Sequence, residues 1–327
     1  KKGQQEAVSF WKHFHWCAEQ GIFEPYFPQP AATPAVPVTV PEASAEEKKG
    51  DVVIIADLAE DDSQLAGMIA RFPSSFSVLI WVFPVQPLQP FSARLFQPSG
   101  CCVFSPASRF CFRCAVSGKC VHKDGFDDFL RNSIQTADAM IYAFPIRDHS
   151  MGAAFKLYDD RQFCNGHRTV TMGMPVGYLV SGDYSREMNL QTIIEARAQV
   201  GGNYLAGVAT DESDPDAQID SLAKSLAYAI AQGYTPPQNF YGVGGMKVFR
   251  DLIWIMQGMM KADHKFYKAH GQYDFPQKQW PRMLAMYAVG AMLANPKLKA
   301  KMGSAMTDGM LMPYNKVLEQ AKKKKSK

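Results

Sequence analysis

The sequence predicts an α/β chain built on a doubly wound parallel sheet, and three observations predict it. Val52-Val-Ile-Ile-Ala56 is a strand-length apolar run without polar alternation, as expected of a strand covered on both faces. Similar runs alternate with helical patterns over roughly 180 residues, the rhythm of βαβ units. Finally, Ala139-Met-Ile-Tyr-Ala143 runs into the polar, Pro-containing segment Phe144-Pro-Ile-Arg-Asp-His-Ser150 and then into a helical pattern. Strand, turn and helix start in that order describe a ligand-binding corner beyond the carboxyl end of a sheet strand.

The elements follow in order. Residues 4–20 place Val8, Phe10, Trp11, Phe14, Trp16 and Cys17 among Gln, Lys, His and Glu, an amphipathic helix. It is too short to form its own core, so its aromatics are expected to lie on another surface. The Pro-dense stretch from Pro28 through Pro41 and on to Gly50 reads as an extended linker or a strap over a partner. Asp62–Phe72 is helical with Leu65, Met68, Ile69 and Phe72 on one stripe, Ser77–Phe83 is a strand, and Pro84–Pro106 is irregular. Helices are expected at Phe126–Ala137, Met151–Arg161, Glu187–Val200 and Pro215–Gln232, the last capped by Gly233. Strands are expected at Ala139–Ala143, Val170–Val180 and Tyr204–Ala209. After Gly242-Val-Gly-Gly245 helices dominate, at Val248–Met260, Trp280–Ala294 and Ser304–Ala321. The expected organisation is an N-terminal amphipathic arm (1–27), a Pro-rich linker (28–50), the α/β domain (51–243) and a helical C-terminal extension with a basic tail (244–327).

Composition narrows the classes. A chain of 327 residues with 47% hydrophobic and 20% charged residues can bury a full core, which excludes wholesale disorder. The net charge is only +4 and gathers in Lys322–Lys327; no basic, aromatic-interleaved element suggests nucleic acid. The longest apolar run near the C-terminus, Met283–Ala294, falls short of the ~20 residues that a membrane span needs. Seven cysteines, an odd number, do not suit a secreted disulfide framework in a chain this large. With no apolar segment behind Lys1-Lys2, a reducing compartment, cytoplasm or organelle interior, is expected.

Three stretches carry a family resemblance: Cys111-Phe-Arg-Cys114 through Asp128, the Phe144–Arg161 corner, and Val176–Gly182 with Glu195–Gly202. Gly242–Asp251, Asp263–Lys268 and Tyr273–Gln277 add to it. From about Asp51 to Gln277 the chain resembles the flavodoxin-like NADPH-dependent FMN reductase family, which includes multimeric flavodoxins and iron–sulfur flavoproteins. The resemblance implies FMN at the carboxyl ends of the strands, NAD(P)H as electron donor, and a flavodoxin-like fold.

It also implies three contact loops. The phosphate loop corresponds to Asp57-Leu-Ala-Glu-Asp-Asp-Ser-Gln64. Glu60, Asp61 and Asp62 stand where the family has small hydroxyl, amide or basic residues, and would oppose a phosphate carrying about −1.5 to −2 charges. Ser63 is the remaining hydroxyl donor or cap; alternatively the acidic turn serves only the helix N-terminus. The second loop, Pro145, Ile146, Arg147, His149 and Ser150, would face the isoalloxazine edge, with Arg147 either stabilising a reduced flavin anion or pairing with Asp148. The third, Ser181, Gly182 and Tyr184, would lie opposite, with Tyr184 stacking on a ring or packing on its own loop. Cys111, Cys114 and Cys120 are the candidate metal ligands, one short of the four-Cys array of the iron–sulfur members, so no cluster is expected. His122, His149 and His167 follow no metal or triad spacing.

The expected function is therefore an FMN-binding oxidoreductase or electron-transfer protein. Two alternatives stand beside it. One is a cofactor-less assembly subunit of a larger complex, with protein partners or a second copy meeting the N-terminal arm and C-terminal helices. The other is an iron–sulfur flavoprotein.

Overall fold

The computed structural model describes residues 2–22, 49–59, 61–73, 75–83, 113–120, 122 and 125–294, with positions 315, 317 and 319. The expected linker, the irregular 84–106 stretch, Cys111 and most of the last expected helix lie outside these residues. The chain divides into two compact units. The first comprises Lys1–Pro98, Asp124–Asp159 and Thr169–Met246; the second comprises Ser99–Lys123, Asp160–Arg168 and Lys247–Lys327.

The first unit is built on strands β1 (Asp51–Asp57), β2 (Ser77–Phe83), β3 (Ala139–Arg147), β4 (Ser150–Met151), β5 (Pro175–Ser181) and β6 (Tyr204–Thr210). They form one six-stranded sheet in the order β2-β1-β3-β5-β6, with β4 paired to β3. All pairs except β3–β4 are parallel. Counted as parallel strands, this is the 2-1-3-4-5 order of flavodoxin-like sheets, whose direction of winding reverses between the first and third strands.

The continuous apolar runs become buried strands because helices cover both faces. On one face α2 (Ser63–Arg71) and α7 (Pro215–Gln232) pack Leu65, Met68, Ile219, Leu222 and Leu226 against Val52, Ile54, Ile141 and Leu179. Each such side chain contributes about 1.5–3 kcal/mol when fully buried. Arg71 joins the two helices through Asp216 and Asp220, at 2.9 and 2.7 Å. The other face is aromatic. Tyr142 and Phe144 of β3 meet Phe155 of α5 (Ala153–Arg161) at 5.4 and 5.1 Å between centroids, and Trp81 meets Phe129 at 3.9 Å. Arg197 of α6 (Met188–Gly201) lies 5.5 Å above the Tyr142 ring and pairs with Asp159 at 2.8 Å.

The N-terminal segment is helical as expected, α1 (Lys2–Gln20), and two of its rings, His13 and Trp16, find a surface within their own unit. His13 stacks on Tyr234 at 4.1 Å and Trp16 on Tyr228 at 4.3 Å, while the Tyr204 hydroxyl and His13 Nε2 are 2.9 Å apart. Burial lowers the His13 pKa, consistent with a neutral ring in an aromatic nest. Phe10, Trp11 and Phe14 point the other way and are 48–59% exposed.

The second unit contains α3 (Arg113–Ser117), residues 247–255 of α8 (Phe240–Ile255), α9 (Lys261–Ala269) and α10 (Trp280–Ala294). Its centre is polar: Asp263, fully buried, accepts the backbone N–H of His167 at 3.2 Å and lies 3.1 Å from His167 Nδ1 and 3.4 Å from Arg168. The Tyr267 hydroxyl donates to the His167 carbonyl at 3.0 Å.

Several boundaries differ from the sequence expectation. The expected Phe126–Ala137 helix is a single α-turn, α4 (Phe126–Phe129), continued by a π-turn to Ile134. Gly242-Val-Gly-Gly245 lies inside α8 rather than before a helix. Neither α3 nor α9 was expected; they are short, at five and nine residues. Among the described residues, no helix is long and apolar enough to cross a membrane.

The turn after α8 crosses α10 backbone to backbone. A Cβ on Gly258 would lie 2.6 Å from the Met286 carbonyl oxygen and Tyr287 Cα, and a Cβ on Gly290 would strike the Gly258 carbonyl. Gly290→Ala is therefore expected to destabilise the second unit by on the order of 2 kcal/mol. The check is thermal unfolding together with the proteolytic susceptibility of α10; wild-type behaviour in both contradicts the close approach.

Candidate functional site

Parallel strands send all their following connections to one edge of the sheet. At the carboxyl ends of β1, β3, β5 and β6 four segments therefore meet: the β1–α2 turn, the β3–β4 hairpin, the β5–α6 loop and the β6–α7 loop.

The β1–α2 turn is organised by its acids. Asp57 ends β1 with its carboxylate buried, and its Oδ2 accepts the Phe155 N–H in the first turn of α5 at 3.4 Å. Burial pushes its pKa up; the Phe155 N–H and the Arg147 guanidinium offset this in part, and Asp62 adds to it. Asp62, not Ser63, is the N-cap residue of α2. Its carboxylate does not reach forward into the helix but turns back to accept the Ala59 N–H at 2.8 Å. Ser63 is the first helical residue and exposed.

The second segment differs from the expected open loop. Strand β3 continues through Pro145 and Ile146 to Arg147, then reverses into β4 with Ile146 opposite Met151 and Arg147 opposite Ser150. The two residues between them, Asp148 and His149, both have left-handed backbones, φ +50° and +63°. Two successive positive φ values match a type I′ hairpin turn. Asp and His tolerate that region better than most residues, which is why the turn closes without glycine.

Pro145 is buried in the β3–β5 ladder opposite Ser181. Arg147 crosses to the first segment: its Nη2 donates to both Asp62 oxygens, at 2.9 and 3.1 Å. The partner is thus Asp62, not Asp148. Gly152 makes the passage possible, because a Cβ there would sit 2.5 Å from Asp57 Oδ2 and 3.3 Å from Arg147 Cδ.

In the third segment Gly182 has φ +115° and packs under Ile146, to which a Cβ would come within 3.3 Å. Its N–H, and the Ser181 hydroxyl, donate to Asp211 at 2.9 and 2.5 Å. Ser185 donates through both its N–H and its hydroxyl to Glu212. Tyr184 folds back so that its N–H reaches the Gly182 carbonyl at 2.7 Å. At the hairpin tip His149 Nδ1 lies 2.8 Å from Glu187.

The structure therefore brings Ser63, Ile146, Arg147, His149, Ser150, Ser181, Gly182 and Tyr184 to one edge. Sequence reasoning missed Asp211, Glu212 and Glu187, and the crossing of Arg147 to Asp62. The available signal was position: Asp211-Glu212 directly follow β6, so any parallel sheet carries them to the same edge. Of the cysteine motif, Cys114 is half-buried and Cys120 buried, while Cys111 lies outside the described residues. Among the described residues no three or more His, Cys, Asp or Glu side chains are grouped to hold a metal. His167 belongs to the Asp263 cluster of the second unit.

Two titrations follow from this geometry. The Glu187 carboxylate raises the His149 pKa, first by its hydrogen bond and then by its charge. The link is complete below the ordinary imidazole value of about 6.5 and is lost as pH rises above it, through the raised value. An NMR titration of His149 is expected to show a midpoint above 6.5 that falls back in Glu187→Gln; equal midpoints contradict the pairing. Asp57 has the opposite character, because its ionised form is the one disfavoured by folding, so its penalty grows as pH rises from acid toward neutral. Asp57→Asn is expected to remove that pH dependence while keeping an oxygen for the Phe155 N–H. Asp57→Ala is expected to be about 1 kcal/mol less stable than the Asn variant, as read by denaturant unfolding.

No protein-family model matches the chain. An iron–sulfur flavoprotein of Archaeoglobus fulgidus is 27% identical over 172 residues, covering 49% of this chain and 77% of the relative. Among solved structures, a flavodoxin, WrbA-like protein from Agrobacterium tumefaciens covers 57% of this chain and 99% of its own, at 13% identity and a TM-score of 0.34. An NAD(P)H:quinone oxidoreductase from Methanothermobacter marburgensis covers 58% and 98%, at 14% identity and a TM-score of 0.35. The strand order of the chain is that of flavodoxin-like sheets, and its sequence is similar to that of the Archaeoglobus iron–sulfur flavoprotein.

Proposed function

We propose that this chain is an FMN-binding flavodoxin-like oxidoreductase or electron-transfer protein that takes its electrons from NAD(P)H. The observation that carries the reading is the switch-point corner itself: a 2-1-3-4-5 parallel sheet whose β1, β3 and β5 carboxyl ends converge on one edge, the place where such sheets bind their ligands. Sequence similarity to an iron–sulfur flavoprotein supports it.

The donor chemistry of the corner fits a flavin at its ring end. The hairpin tip presents Arg147 and His149 to solvent, and the opposite loop presents Gly182 without a side chain beside Ile146. Bound FMN would supply the redox chemistry. The chain's residues would do the positioning: Ile146 and Gly182 shape the slot, while Ser150 and the Pro145–Arg147 backbone border the ring edge. Arg147 and protonated His149 offset negative charge there, Ser181 and Tyr184 border the opposite side, and Ser63 faces the phosphate.

A second reading, a cofactor-less assembly subunit, is favoured by one observation. The corner's own carboxylates already accept its N–H groups: Asp62 from Ala59, Asp211 from Gly182, and Glu212 from Ser185. The exposed Phe10, Trp11 and Phe14 would then be its contact surface for a protein partner or a second copy. An absorption spectrum of the purified protein, followed by titration with FMN, separates the two. Flavin bands, or saturable quenching of FMN fluorescence with NAD(P)H-dependent bleaching, are expected; neither bands nor uptake would leave the assembly reading.

A further inference from the structure

We infer that Asp62 and Arg147 form an internal latch on the phosphate end of this corner, so that Asp62 sets how strongly the site distinguishes a phosphorylated from an unphosphorylated flavin. The inference rests on the FMN reading above. The Asp62 carboxylate sits at the N-terminus of α2, accepts the Ala59 N–H at 2.8 Å, and takes Arg147 Nη2 at 2.9 Å. A carboxylate beside a helix start, held by a turn N–H and a guanidinium, has the partners that a bound phosphate would use.

Arg147 comes from the hairpin rather than from the phosphate turn, so the ion pair ties together the ring side and the phosphate side of the corner. It is only partly buried, with the Arg147 side chain 46% exposed and that of Asp62 14% exposed. Such a pair is worth little on its own, roughly 0–1 kcal/mol, and an incoming dianion can replace it. The replacement has a cost besides the broken pair, because the Asp62 charge remains beside the anion. Gly152 leaves the guanidinium stem room beside Asp57, so Arg147 can turn from Asp62 toward a ligand without crossing a side chain there.

The phosphate thus adds little net affinity in the wild type, and flavins with and without it bind alike. Asp62→Asn removes the charge but keeps an oxygen for the Ala59 N–H, which leaves the turn intact and frees Arg147. The test measures dissociation constants for FMN and riboflavin by fluorescence quenching in the full chain, with circular dichroism to confirm folding. The expected FMN preference over riboflavin lies within about three-fold in the wild type and rises about ten-fold in Asp62→Asn, an increment of ~1.4 kcal/mol. In the double variant Asp62→Asn/Arg147→Gln the preference is expected to fall back.

If Asp62→Asn leaves the preference unchanged, or weakens FMN alone, the latch is wrong while the flavin corner stands. If neither flavin binds wild type or variant, the FMN reading itself is overturned and the latch with it. If Asp62→Asn does not fold, Asp62→Ser, which also keeps an acceptor oxygen, gives the same readout.

Discussion

The parallel backbone ladder between β1 and β3 is the constraint on which the rest of the first unit depends. Val52 to Ala56 lie in register with Ala139 to Ala143, and β1 simultaneously pairs with β2 on its other side. A strand bonded on both edges and covered on both faces has no exposure to trade, so its residues must be apolar throughout. Parallel pairing in turn demands crossover helices, which supply the two packed faces. The direction of winding reverses between β1 and β3, and in sheets of this order the turns that follow such strands diverge at their carboxyl ends. The corner is a consequence of the ladder before any of its residues is chosen.

The contacts at that edge are chiefly electrostatic. The turns bring Asp57, Asp62, Asp211 and Glu212 to one edge, and each of these four carboxylates accepts a backbone N–H group there, Asp57 from the start of α5 and the others from the loops themselves. Loops rich in exposed N–H groups form an anion site; here the chain's own anions serve it. Arg147 is the cation that joins two of the loops, and His149 with Glu187 joins the hairpin tip to the start of α6. A ligand entering the corner therefore meets N–H groups and a guanidinium already paired with the chain's own carboxylates.

The N-terminal helix and the second unit follow a different logic. Along α1, His13 and Trp16 stack on Tyr228 and Tyr234 while Phe10, Trp11 and Phe14 remain exposed. An exposed aromatic group of that size is uncommon on a surface with no partner. In the second unit a buried carboxylate, Asp263, gathers His167 and Arg168. A buried charge is tolerable only with such partners, so the segments from which they come are held together.

The alternation of strands and helices, the burial of Val52–Ala56 and Ala139–Ala143, the apolar stripe of α2 and the Gly233 cap of α7 were all legible from sequence. Each depends on neighbours a few residues away or on a repeating period. The Asp57–Gln64 acids were legible too, as charges adverse to a phosphate, but not what they do. Asp62 meets Arg147 across 85 positions and Asp211 meets Gly182 across 29, and no local pattern encodes either pairing. The hairpin at Asp148-His149 escaped notice because its left-handed turn uses residues that tolerate positive φ rather than the glycine that advertises it. The sequence by itself thus determined a doubly wound sheet and the loops gathered at the carboxyl ends of its strands. Only the tertiary structure decided that the corner is closed by its own carboxylates, because pairings between distant charges are set by where the sheet brings the loops.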